Sequence, residues 1–203
     1  DAEGSILENY SSRWVASYIG GIGPHRGLDT VLNAVPYIVT AIPNFLLLIV
    51  GANDYDYAVI QDYVRKINIS THVEVIGWQP FSKVNSYVMA SNVCLVPHNN
   101  FEHTNTTVPH KLFQYMICKK PVLVSSCAPL ARIIGDTKAG LIFEANNSQD
   151  FAKIILFMHD NPSLLVEMGE NGQRAALGKY AWRNDAARLV DMYNELELKI
   201  KGR

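Results

Sequence analysis

Short runs of apolar residues recur along the whole chain, and each run ends at glycine, proline or a polar residue. The longest run begins at Phe45 and continues without interruption to Val50, with Gly51 directly after it. A continuous apolar run of this length predicts a strand that is buried on both faces, as in a parallel sheet covered by helices. Six strands are predicted from short, mainly apolar runs, at residues 15–19, 45–50, 73–76, 93–96, 121–124 and 141–143.

Between these runs the apolar residues change to a helical spacing. Leu28, Val31, Leu32 and Val35 follow the first predicted strand at intervals of three and four residues, which is one face of an amphipathic helix. Similar spacing predicts helices near residues 57–67, 84–88, 150–159, 162–177 and 184–200, and one that begins at Pro109. Strands that alternate with helices form right-handed crossovers. The pattern therefore predicts an α/β fold, a Rossmann-like, doubly wound parallel sheet of about six strands with helices on both faces.

Composition and charge narrow the classes of function. The chain has 203 residues, 48% of them hydrophobic, which is enough for the core of one domain or of two small ones. No linker or repeat interrupts it, so we expect one domain over residues 13–203 after a polar lead-in over residues 1–12. The net charge of −1 gives no indication of nucleic acid or an anionic membrane as the main partner.

The apolar runs, the first residues and the cysteines of the chain indicate a cytoplasmic protein. No apolar run is long enough for a transmembrane segment, and the acidic first residues do not resemble a signal peptide. Cys94, Cys118 and Cys127 are an odd number of cysteines without metal-binding spacing. Reduced thiols in a cytosolic protein are the simplest interpretation of such a set.

Ligands of doubly wound sheets bind at the carboxyl ends of the strands, and a glycine-rich turn lies at the first of these ends. In the segment YIGGIGPHRG, Gly20, Gly21 and Gly23 allow backbone N–H groups to approach a phosphate closely. Arg26 adds a guanidinium that a diphosphate would satisfy. The alternative is an ordinary tight turn with a surface arginine. The segment is not a P-loop, and it matches a dinucleotide-binding turn only loosely.

A second cation lies at another predicted helix start. In TVPHKLFQYM the helix begins at Pro109, and Lys111 falls in its first turn, where the helix dipole disfavours positive charge. One bound anion that both Arg26 and Lys111 face would account for a cation at each of these positions. The alternative is a chance pair of solvated cations. Gln114 lies one helical turn after Lys111, so it can offer a donor and an acceptor to a ribose diol at the same cleft.

The loop before this helix is rich in polar residues, among them His98, Glu102, His103 and His110. Such residues can bind a metal ion, but no pair of them has a compact ligand spacing on a helix. We therefore predict no metal site and no cofactor. Short polar side chains on a loop above a rigid sheet are instead typical of contacts to a hydroxyl-rich ligand.

Several segments taken together resemble a known family. They are YIGGIGPHRGLDTVLNA, LLLIVG, VEVIGWQP, ASNVCLVP, PHKLFQYMICKKPVLVS, GLIFEANNSQDFAKII and YAWRNDAARLVDMYNEL, which span residues 14–198. In this order they resemble the carboxy-terminal, donor-binding half of a GT-B nucleotide-sugar glycosyltransferase. The resemblance is to the large retaining group 1 family that builds bacterial surface glycans.

The resemblance implies roles for individual residues. The turn with Gly21, Gly23 and Arg26 would hold the donor diphosphate, and backbone groups around Ile76 and Gly77 would meet the base. Thr106 and Thr107 would contact the sugar and phosphate of the donor substrate, and Gln114 would contact its ribose. Arg26 and Lys111 would stabilise the negative charge that grows on the β-phosphate as the sugar C1–O bond breaks, without a metal ion.

The chain also departs from the family in ways that affect these roles. Many relatives have an arginine where this chain has Gly21. A paired-glutamate pattern of the family is replaced by Thr106 and Gln114. Glu102 or His98 is therefore an alternative source of the contact to the sugar hydroxyls.

The resemblance further implies partners. The substrate would be a nucleoside-diphosphate sugar, and a glycan or lipid-linked acceptor would bind to a second, N-terminal domain that is missing here. The last helix has an apolar stripe of Leu189, Tyr193, Leu196 and Ile200, expected to pack on this domain or to reach the missing one. The full-length enzyme is expected in the cytoplasm or peripherally at the inner membrane face. A sugar-nucleotide 2-epimerase, an NAD-binding dehydrogenase domain and a non-catalytic carbohydrate-binding module remain alternatives.

Overall fold

A computed structural model describes residues 3–201 and contains one six-stranded parallel sheet with the strand order β3-β2-β1-β4-β5-β6. The strands are β1 (Trp14–Ile19), β2 (Phe45–Ala52), β3 (Val73–Gly77), β4 (Val93–Val96), β5 (Val122–Ser125) and β6 (Gly140–Phe143). The predicted α/β fold is confirmed, and each predicted strand agrees with the structure to within two residues at either end.

Helices cover both faces of the sheet. They are α1 (Gly4–Tyr10), α2 (Leu28–Val39), α3 (Asp54–Lys66), α4 (Phe81–Met89), α5 (Lys111–Ile117), α6 (Ala128–Thr137), α7 (Ser148–Asp160), α8 (Pro162–Leu177) and α9 (Trp182–Lys201). Two short 3-10 turns, Pro24–Arg26 and His103–Asn105, interrupt the loops after β1 and β4. The sequence pattern predicted neither α1 nor α6. In the described residues no helix is long and apolar enough to cross a membrane.

The segment expected as a polar lead-in, residues 1–12, contains helix α1. Ile6 and Tyr10 of this helix are buried, and α1 packs on α4. The backbone N–H of Glu3 donates to Ser86 Oγ at 2.8 Å, and Tyr10 Oη donates to Glu74 Oε1 at 3.0 Å. Two apolar residues four positions apart place one side of a short helix on the domain, although the segment is polar on average.

Side chains alternate between two cores along the central strands. Ala16 and Tyr18 of β1 face the core that is shared with α2 and α7, whereas Val15 and Ile19 face the core that is shared with α4 and α5. This alternation is the two-residue period of a strand in a sheet that is covered on both faces. The strand order reverses between β1 and β4, so the loops that follow these two strands meet at the switch point.

Helix α9 carries its large apolar side chains on its exposed surface. Leu189, Tyr193 and Leu196 are 43%, 61% and 46% exposed. About half of each side chain is in contact with solvent, and the role expected for this stripe stays a prediction. The side chain of Ile200, the fourth member of the predicted stripe, lies outside the described part of the chain.

Tyr115 anchors α5 to the end of β1. Its hydroxyl accepts the backbone N–H of Ile19 at 3.1 Å and donates to the Ile19 carbonyl at 3.2 Å, and all these groups are buried. One side chain thereby satisfies both polar groups of a strand residue where the sheet ladder stops. The start of α5 is held against the switch point as a result.

Replacing Tyr115 with phenylalanine should lower the free energy of unfolding by about 1–3 kcal/mol, because a buried N–H and a buried carbonyl both lose their partner. Urea denaturation followed by circular dichroism measures the change. Tyr193→Phe, on the exposed face of α9, is the control and should leave the transition in place. An unchanged transition in Tyr115→Phe would show that this anchor does not contribute to stability.

Candidate functional site

The two loops at the switch point are joined to each other. Asn99, in the loop after β4, donates from its backbone N–H to the His25 carbonyl at 3.1 Å and from Nδ2 to the Pro24 carbonyl at 3.0 Å. Gly27 has φ +69°, and a Cβ built there would lie 1.8 Å from the Pro97 carbonyl oxygen. Only glycine allows this approach, so the relative position of the two loops is fixed by the chain itself.

The glycine turn after β1 presents backbone donors. Among residues 3–201 the N–H groups of Gly21, Ile22 and Gly23 find no hydrogen-bond acceptor. A side chain of β1 holds the turn in place, because Tyr18 Oη donates to the Gly21 carbonyl at 2.6 Å. Successive free N–H groups before a helix are an arrangement that binds anions.

Arg26 lies in the 3-10 turn before α2 and not in the first turn of α2, where the sequence placed it. The side chain is half-buried, and its Nη1 lies 3.1 Å from His98 Nε2. Within the described chain Arg26 forms no ion pair with a carboxylate. Its charge therefore remains uncompensated by the protein.

Lys111 is the first residue of α5, and its side chain is folded under the glycine turn. Its Nζ lies 3.7 Å from the centre of the Tyr18 ring, is shielded from solvent and has no hydrogen-bond partner among residues 3–201. A Cβ on Gly20 would lie 2.8 Å from this Nζ, so Gly20 leaves the room for it. Burial, and then the nearby charge of Arg26, lower the pKa of Lys111 to about 7.

Three histidines surround the guanidinium. The rings of His25 and His98 are 6.3 Å apart, and those of His25 and His103 are 5.6 Å apart, both edge to face. Burial, followed by the charges of Arg26 and Lys111, lowers the pKa of His98 to about 3. Burial and Arg26 also lower the pKa of His25. No three His, Cys, Asp or Glu side chains of residues 3–201 are arranged to hold a metal ion.

The threonines predicted at the site use their hydroxyls within their own loop. Thr106 Oγ1 and Thr107 Oγ1 donate to the His103 carbonyl at 3.0 Å and 2.9 Å. The backbone N–H groups of Thr107 and Val108 donate to no acceptor in the described chain, so the backbone is the part of this loop that offers donors. Glu102 is exposed at the same loop.

Two separate cavities, together called the groove, lie between the glycine turn and Gln114. The first part of the groove is a cavity of about 490 Å³ whose walls include Gly20, Gly21, Trp78 and Phe81. Phe81 also lines the second part, a cavity of about 200 Å³ that Gln114 borders. Gln114 is exposed and lies one turn after Lys111, as predicted, but on the side of α5 that faces α4.

Sequence reasoning missed the aromatic wall of this groove. Ile76 is half-buried at the end of β3 and Gly77 is exposed next to it, whereas the cavity is lined by Trp78 and Phe81, which follow them. These two rings are 77% and 76% exposed. Two aromatic residues just after a strand end in the segment GWQPF were a signal for a binding surface that the sequence already contained.

Solved structures share this fold. Sucrose-phosphate synthase from Thermosynechococcus elongatus superposes with a TM-score of 0.82 at 20% identity, covering 97% of this chain and 49% of that one. Anabaena Alr3699/HepE in complex with UDP gives 0.82 at 13% identity, over 96% of this chain and 54% of that chain. The C-terminal domain of a group 1 glycosyl transferase (LpcC) from Francisella tularensis gives 0.70 at 17% identity, covering 87% and 91%.

Curated relatives and a family profile agree with this likeness. The chain is 28% identical over 191 residues to the uncharacterized glycosyltransferase MJ1178 of Methanocaldococcus jannaschii, covering 94% of this chain and 51% of the relative. It is 21% identical to a GDP-mannose-dependent alpha-(1-6)-phosphatidylinositol monomannoside mannosyltransferase of Mycolicibacterium smegmatis, covering 95% and 51%. The chain thus spans about half the length of these relatives. The profile described as "Glycosyl transferases group 1" matches residues 3–175, and the chain therefore belongs to the group 1 glycosyltransferase family.

Proposed function

We propose that this chain is the donor-binding part of a retaining, metal-independent glycosyltransferase. The enzyme would transfer a sugar from a nucleoside-diphosphate sugar to a glycan or lipid-linked acceptor. One observation carries the proposal, namely that Arg26 and Lys111 lie near each other at the switch point and neither pairs with a carboxylate of residues 3–201.

Two uncompensated cations at one place are unfavourable for the protein alone. Each disfavours the charged form of the other, and burial adds a desolvation cost for the Lys111 amine. An anion bound between the loops would remove both penalties. A diphosphate suits the arrangement, because it offers several charged oxygens to the two cations and to the N–H groups of Gly21, Ile22 and Gly23.

The same groups would support sugar transfer. When the bond between C1 of the sugar and the β-phosphate oxygen breaks, its electron pair passes to that oxygen. Arg26, Lys111 and the glycine-turn N–H groups would stabilise the resulting negative charge. The acceptor hydroxyl would form the new bond to C1 and pass its proton to the diphosphate that leaves. The groups that bind the acceptor would lie in the part of the enzyme outside this chain.

The groove that ends at Gln114 supports a nucleoside next to the diphosphate. The amide of Gln114 can both donate and accept, as a ribose diol requires, and Trp78 and Phe81 offer aromatic surface to a base. The names of the similar proteins mention UDP for one and GDP-mannose for another. These names support a nucleoside diphosphate as the class of ligand for this chain, and they do not determine its nucleobase.

The proposal includes a cytoplasmic location. The free thiols of Cys94, Cys118 and Cys127 support a reducing compartment. A lipid-linked acceptor would bring the full-length enzyme to the inner membrane face as a peripheral protein.

Calorimetry of the chain with UDP, GDP, ADP, TDP and NAD tests the proposal. At least one nucleoside diphosphate should bind, and NAD should not bind better than these ligands. No binding of any nucleoside diphosphate at millimolar concentration would remove the donor-site assignment. A response to NAD alone would favour the dehydrogenase alternative.

Gln114→Ala should weaken nucleoside and nucleoside diphosphate binding alike, by about 1 kcal/mol or roughly five-fold in affinity, because neutral hydrogen bonds to the ribose are lost. Gln114→Glu should be tolerated, since a carboxylate accepts hydrogen bonds from both ribose hydroxyls. Titration calorimetry with the nucleoside and its diphosphate measures both variants. An affinity of Gln114→Ala within about two-fold of wild type would assign Gln114 to a solvated helix face.

Metal independence gives a second test, on the full-length enzyme. Because Arg26 and Lys111 supply positive charge at the diphosphate in this proposal, removal of divalent ions with EDTA should leave the rate of sugar transfer nearly unchanged. Activity that is lost with EDTA and restored by manganese would contradict it.

A further inference from the structure

His98 is the polar partner that the structure gives to Arg26. It follows β4 directly after Pro97, is only 2% exposed and places Nε2 3.1 Å from Arg26 Nη1. A guanidinium carries only N–H donors, so Nε2 must be the acceptor in this contact. The proton of the neutral imidazole then lies on Nδ1, a buried atom that has no hydrogen-bond partner in the described chain.

The surroundings keep this imidazole neutral. The groups that face it are the cations Arg26 and Lys111 and the rings of His25 and His103, and each of them disfavours a further positive charge. Burial acts in the same direction and is the larger cause. The acceptor at Nε2 is therefore present over the whole range around neutral pH, in which an exposed histidine would lose it.

A neutral hydrogen-bond acceptor orients Arg26 without neutralising its charge, whereas a carboxylate would neutralise it. A buried aspartate or glutamate would also orient Arg26, but it would neutralise the charge that an anionic ligand needs. An imidazole fixes the direction of the guanidinium and leaves its full charge available. The unpartnered Nδ1–H adds one more donor next to Arg26 and Lys111, and none of these groups has an acceptor supplied by a charged side chain within residues 3–201.

We propose that His98 is the positioning residue for Arg26, which it holds as the neutral Nδ1–H tautomer so that the guanidinium keeps its charge for a diphosphate ligand. The binding role rests on the proposed function, whereas the pairing and the tautomer are properties of the empty chain. No contact between His98 and a substrate is needed for this role.

Two substitutions of His98 separate positioning from packing. His98→Leu fills a similar volume without an acceptor, and His98→Gln keeps an acceptor oxygen for Arg26. His98→Leu should bind UDP or GDP, whichever the wild type prefers, about ten-fold more weakly, and should bind the matching nucleoside within about two-fold of wild type. His98→Gln should recover most of the loss. His159→Leu, on α7 beside Trp14 at the opposite end of the sheet, is the control and should bind as wild type.

Nuclear magnetic resonance of the ligand-free chain tests the pairing separately. Long-range proton–nitrogen spectra should show His98 with a protonated Nδ1 and an unprotonated Nε2 from about pH 5 to about pH 8. Rotation of the Arg26 guanidinium should be slow in wild type and His98→Gln and fast in His98→Leu.

Each result decides one part of the inference. A protonated Nε2, a His98 that titrates near neutrality, or equal guanidinium rotation in all three proteins would overturn the pairing. Equal losses for nucleoside and diphosphate in His98→Leu, or no recovery in His98→Gln, would overturn the positioning role. If the wild type binds no nucleoside diphosphate, the proposed function and the binding role fail together, and the spectra still decide the pairing.

Discussion

Exchanging Lys111 for methionine is expected to weaken nucleoside diphosphate binding by about ten- to a hundred-fold and to leave nucleoside binding within about two-fold. A charge-assisted contact to phosphate contributes about 1.5–3 kcal/mol, which gives this range of affinities. Methionine keeps the apolar stem of the lysine and nearly its length, so the space under Gly20 stays filled. The ratio of the two affinities, measured by calorimetry, isolates the contribution of the charge.

The expected result includes a rearrangement of the lysine. In the structure Nζ is shielded from solvent and lies over the Tyr18 ring, so it must leave this ring to touch a phosphate above the turn. Lys153→Met, at an exposed position of α7, is the matched control and should leave both affinities unchanged. Equal losses for nucleoside and diphosphate in Lys111→Met, with the fold intact, would remove Lys111 from the phosphate site.

The sheet was well predicted from the sequence, because its four inner strands, β1, β2, β4 and β5, are buried on both faces and therefore appear as nearly continuous apolar runs. Helix α6 shows why some elements were missed. It begins at Ala128–Pro129 after two serines, which is typical of a loop, although Leu130, Ile133 and Ile134 have helical spacing and are buried. Helix α1 was missed because only Ile6 and Tyr10 mark its buried side.

The candidate site was only partly predictable, for a different reason. Lys111 could be assigned to a helix start from the sequence, since proline is a local signal, whereas Arg26 lies in the 3-10 turn before α2. The Arg26–His98 contact joins residues that are 72 positions apart in the chain, and no local pattern encodes it. The hydroxyls of Thr106 and Thr107 looked available in sequence, whereas the fold of the loop turns both toward the His103 carbonyl.

Lys111 connects the site with the stability of the fold. In the unfolded chain its amine has the ordinary pKa of 10.5, whereas burial and Arg26 lower the pKa to about 7 in the folded chain. Between these pH values the unfolded state binds the extra proton, so the contribution of Lys111 to stability rises with pH. Below about pH 7 both states are protonated, and the folded state carries the full cost of the buried charge.

Lys111→Met should therefore stabilise the ligand-free chain near neutral pH. Lowering the pKa of a group by about one on folding corresponds to about 1.4 kcal/mol, and the Tyr18 ring offsets about 0.5–2 kcal/mol of the total cost. We expect a gain of about 3–4 kcal/mol in the free energy of unfolding at about pH 6, shrinking by a similar amount toward about pH 10. Urea denaturation of both proteins at the two pH values measures it, and their other titrating groups cancel in the comparison. A difference that stays constant with pH, or a destabilised variant at about pH 6, would show that the folded chain accommodates the lysine charge without cost. We therefore expect Lys111 to destabilise the ligand-free chain and to contribute to anion binding. This is the usual relation between stability and function at a charged site.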